Sequence, residues 1–69
     1  MVPGVYVCIF FENGRVIEAR SLEGADPDSV CAVAAKMMDQ HKVCTDLEVW
    51  ADGKKVRTLQ RGMAAHSSD

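Results

Sequence analysis

Asn13-Gly14 and Asp52-Gly53 stand on either side of a single capped helix, and each dipeptide lies between runs of strand-forming residues. Asn-Gly and Asp-Gly accept positive φ at both central positions of a type I′ turn, whose twist matches that of the strands it joins. Two such hairpins separated by a helix predict an α+β domain with the element order ββαββ.

The first hairpin starts at Val5-Tyr-Val-Cys-Ile-Phe-Phe11, a β-branched and aromatic run too short for a helix, preceded by Pro3-Gly4. A regular two-residue loop at Asn13-Gly14 would set Glu12 opposite Arg15, Phe10 opposite Ile17, Cys8 opposite Ala19 and Tyr6 opposite Ser21 on one side. The other side would pair Phe11 with Val16, Ile9 with Glu18, Val7 with Arg20 and Val5 with Leu22. In the second hairpin, a loop at Asp52-Gly53 pairs Val49 with Val56 and Leu47 with Thr58 facing inward. Glu48 then meets Arg57, and Trp50 meets Lys55, on the side away from the helix. Leu59 breaks this alternation, and a bulge near Thr58 would return it to the core.

Between the hairpins, Asp26 reads as an N-cap, Pro27 as the first helical residue and Asp28 as a negative charge in the first turn. A helix over 27–41 places Val30, Cys31, Ala34, Met37, Met38 and His41 on one broad face, with Ser29, Ala32, Lys36, Asp39 and Gln40 opposite. The methionines fit as core filler, and His41 as a boundary residue with its polar tip in water. A right-handed crossover through this helix leaves room for the first strand between the second and third. The expected result is a four-stranded antiparallel sheet of order 2-1-3-4 with the helix on one face. A central first strand that is apolar on both faces needs cover on each.

With 69 residues the chain forms one domain, expected over 1–61, and Gly62 to Asp69 shows neither helical nor strand period and reads as a disordered C-terminal tail. A domain this small buries only about 60% of the surface its unfolded chain exposes, so a partner subunit, metal or disulfides would add needed stability. The net charge of −2 argues against a surface that traps nucleic acid or anionic membrane wholesale. Cys8, Cys31 and Cys44 form no C-x-x-C, and His41 and His66 add no zinc-type spacing, so reduced packed thiols and no bound metal or cofactor are expected. No signal-peptide pattern or membrane-length apolar run is present, which places the chain in the cytoplasm and off the membrane.

Gly24-Ala-Asp-Pro-Asp-Ser-Val, Met38-Asp-Gln-His-Lys and Asp46-Leu-Glu-Val-Trp-Ala-Asp-Gly-Lys-Lys-Val-Arg-Thr-Leu59 together resemble a group of short uncharacterised bacterial ββαββ proteins with a closing hairpin of the Leu-Glu-Val-Trp type. The resemblance covers most of the chain. It implies a cytosolic bacterial protein of the architecture derived above and carries no activity to any residue.

Phosphate-binding loops, dinucleotide fingerprints and nucleophile elbows are absent from the sequence, and Asp26, Asp28, Glu12 and Glu48 each have a structural role in capping or cross-strand pairing. The chain therefore reads as a non-enzyme. The leading expectation is a self-associating or partner-binding module, a homodimer or a complex with another protein, whose outer sheet face presents Val7, Ile9, Phe11, Val16 and Trp50. The alternative is nucleic-acid binding through the closing hairpin, where Lys54, Lys55, Arg57 and Arg61 surround Trp50. A third reading is thiol chemistry, for which only Cys44 is placed to react, since Cys8 and Cys31 point to the predicted core.

Overall fold

A computed structural model describes residues 4–61; the tail expected over 62–69 lies outside the described residues. Strands β1 (Gly4–Glu12) and β2 (Arg15–Gly24) form the first hairpin, helix α1 (Pro27–Gln40) follows, and β3 (Asp46–Ala51) with β4 (Lys54–Gln60) close the fold. The sheet order is β2-β1-β3-β4 with every neighbour antiparallel, as expected from the crossover. Asn13 (φ 50°) and Gly14 (φ 85°), then Asp52 (φ 53°) and Gly53 (φ 75°), take the left-handed conformation that the two turns require.

Each hairpin departs from the regular register in the same way. Glu12 faces Arg15 and Phe11 faces Val16 as expected, but Ile17 is then an extra residue, so that Phe10 faces Glu18, Ile9 faces Ala19, Cys8 faces Arg20, Val7 faces Ser21, Tyr6 faces Leu22 and Val5 faces Glu23. The expected pairs Phe10 with Ile17, Cys8 with Ala19, Tyr6 with Ser21, Ile9 with Glu18, Val7 with Arg20 and Val5 with Leu22 are corrected accordingly. In the closing hairpin Trp50 faces Lys55 as expected, and Val56 is the extra residue; Val49 faces Arg57, Glu48 faces Thr58 and Leu47 faces Leu59. This replaces the pairs Val49 with Val56, Leu47 with Thr58 and Glu48 with Arg57. A bulge does return Leu59 to the core, but its position is Val56, ahead of Thr58.

These bulges have a packing cause. In a regular register Leu22 and Leu59 would face away from the helix; the extra residue turns both inward, where they pack against the core. That core is Tyr6, Cys8 and Phe10 from β1, Val30, Ala34 and Met38 from α1, Cys44, and Leu47 and Val49 from β3. Cys31 and Met37 flank it from the helix, so the predicted helical face is the one that packs on the sheet.

The helix starts as its sequence dictates: Asp26 accepts hydrogen bonds from the Ser29 amide and the Ser29 hydroxyl, each at 2.8 Å. It ends at Gln40, one residue short of the expected limit, because His41 leaves the helical region (φ −94°, ψ 95°) while its amide still donates to the carbonyls of Met37 and Met38. Arg61 adds further donors at this end, to Met38, to His41 at 2.6 Å and to Cys44 at 2.6 Å. The Arg61 amide donates to the Thr45 carbonyl at 2.8 Å and so fixes β4 beside that helix end.

Candidate interaction face

Because cross-strand partners share a face, the registers divide the sheet cleanly. Tyr6, Cys8 and Phe10 lie under the helix, which leaves Val5, Val7, Ile9 and Phe11 on the outer face with Trp50 beside Val7, Val16 beside Phe11 and Ala19 beside Ile9. All five residues expected to form an interface, Val7, Ile9, Phe11, Val16 and Trp50, therefore stand together. The bulge at Ile17 makes this face more apolar than the sequence suggested. It moves Glu18 and Arg20 to the helix side and brings Ala19 and Ser21 outward. Val5 is 59% exposed, Val7 39% and Val16 62%, while Ile9, Phe11 and Trp50 are half-buried among their neighbours.

The polar residues of the outer face are Ser21 and Glu23 at the far end of β2, together with those of β3 and β4. Glu48 lies next to Ile9 across the β1–β3 pairing. It accepts a hydrogen bond from the Trp50 indole N–H at 3.0 Å and has the Lys55 ammonium 3.6 Å away. Asp46, beside Phe11, accepts from the Thr45 hydroxyl at 2.6 Å. Both carboxylates thus have partners before any second molecule arrives.

Lys54, Lys55, Arg57 and Arg61 do not make one basic surface. Lys55 shares the outer face with Trp50, whereas Arg57 is opposite buried Val49 on the helix side. Its guanidinium donates to Asp28 at 3.2 Å and to the Val56 carbonyl at 2.8 Å. Lys54 is opposite Ala51 at the turn, and Arg61 is occupied at the helix end. Two of the four cations thus serve the fold.

The thiols are arranged differently from expectation. Cys44, expected to be the reactive one, is fully buried and its sulfur donates to the Asp46 carbonyl at 3.3 Å. Cys31, expected in the core, is only partly covered. Cys44 follows the helix directly, and the sharp turn at His41, whose carbonyl accepts from the Cys44 amide at 3.0 Å, folds it back under the sheet. Burial raises the Cys31 thiol above its ordinary pKa, and burial reinforced by Cys31 does the same to Cys8. Both are held as neutral thiols, the less nucleophilic form.

One polar cluster had no signal in the sequence. Glu18, delivered to the helix side by the bulge, bonds Arg20 at 2.5 Å and His41 Nε2 at 2.7 Å, and the Arg20 bond together with His41 holds its carboxyl below the usual range. It ties the helix end to edge strand β2. Among the described residues no group of acids, histidines and thiols is placed to hold a metal ion, and no helix is long and apolar enough to cross a membrane. Compared with family models, with curated proteins and with solved structures, the chain has no match.

Proposed function

We propose that this protein is a self-associating module whose outer sheet face is covered by a second copy of the chain. The observation that carries this reading is the unbroken apolar strip Val5, Val7, Ile9 and Phe11 along a central strand, widened by Val16 and Ala19 on one side and Trp50 on the other. Isolated exposed apolar residues are ordinary, but a contiguous strip over three strands is the mark of an interface. A second argument comes from size. Covering the strip adds buried apolar area to a domain whose own core is one layer of side chains between one helix and one sheet.

Size-exclusion chromatography with light scattering tests the proposal. The wild-type chain is expected at twice its 7.5 kDa mass. Ile9→Lys sets an ammonium in the middle of the strip and is expected at the monomer mass with a lowered Tm, since a buried unpaired charge is costly. A wild-type monomer at micromolar concentration, or an Ile9→Lys variant with unchanged mass and Tm, overturns the reading.

A further inference from the structure

We draw no further inference here: the strongest candidate, the edge of the sheet along β2, is open on one side among the described residues, and nothing in the structure shows what pairs with it.

Discussion

The first and second hairpins are built on one plan and serve opposite ends. Each turns through two residues of positive φ, and each has its bulge at the third residue after the turn glycine, Ile17 after Gly14 and Val56 after Gly53. The faces they present differ. Outside the bulge the first hairpin carries Val16 and Ala19, whereas the second carries Lys55 and Thr58 at the corresponding places. Under the helix the two agree more closely. Each puts a charged residue next after the bulge, Glu18 opposite Phe10 and Arg57 opposite Val49. Each packs a leucine on the core, Leu22 opposite Tyr6 and Leu59 opposite Leu47, with Arg20 opposite Cys8 an added charge in the first. A shared backbone device thus sets the geometry, and side chains at matched outer positions make the first hairpin apolar there and the second polar.

The comparison can be tested by changing matched positions, beginning with the core on which both hairpins rest. Phe10→Ala removes the largest fully buried side chain and is expected to lower stability by about 3–5 kcal/mol, enough to leave a domain of this size largely unfolded by circular dichroism. Val16→Lys gives the first hairpin the outer chemistry of the second. It is expected to weaken self-association by at least about tenfold, roughly 1.4 kcal/mol, in sedimentation equilibrium, while Lys55→Val leaves the dimer at least as tight. Should both substitutions act alike, the division of labour between the hairpins is wrong.

Gly14→Ala and Gly53→Ala probe the shared plan itself. A Cβ added at either glycine meets nothing within 4 Å, so the penalty is backbone strain alone. The two losses are expected to be similar, about 1 kcal/mol each by urea unfolding. The smallest effect concerns acid. Glu18 and Asp26 are held below the ordinary carboxylate range by Arg20 and by the Ser29 amide respectively. Their contribution to stability is complete above that range and is lost as pH falls through their lowered values. Glu18→Gln should lower the neutral plateau of a Tm-against-pH curve slightly while leaving its acid end unchanged, so that the acid limb between them is flatter.

The strands, helix, sheet order and apolar face were all legible in the sequence because they depend on turn dipeptides, a capping aspartate and hydrophobic period. Register was not. An Asn-Gly loop followed by perfect alternation puts Leu22 outside, and only the demand of the packed core for that leucine reveals the extra residue at Ile17. Leu59 did signal the same conflict in the second hairpin, and its position was misjudged because either Val56 or Thr58 satisfies the pattern. The thiols of Cys31 and Cys44 were exchanged in exposure for a related reason. The depth of a residue just past a helix depends on where the chain bends, and the bend at His41 is held by Arg61, twenty residues downstream.

That long reach has a consequence for how the protein comes into being. As the chain emerges from its N-terminus, the first hairpin and the helix are made before β4, and the second donor to the Met38 and His41 carbonyls, the Arg61 guanidinium, comes last. Arg61 acts as a latch between the far end of β4 and the end of the helix, so an Arg61→Ala chain is expected to refold more slowly than one altered anywhere on the outer face.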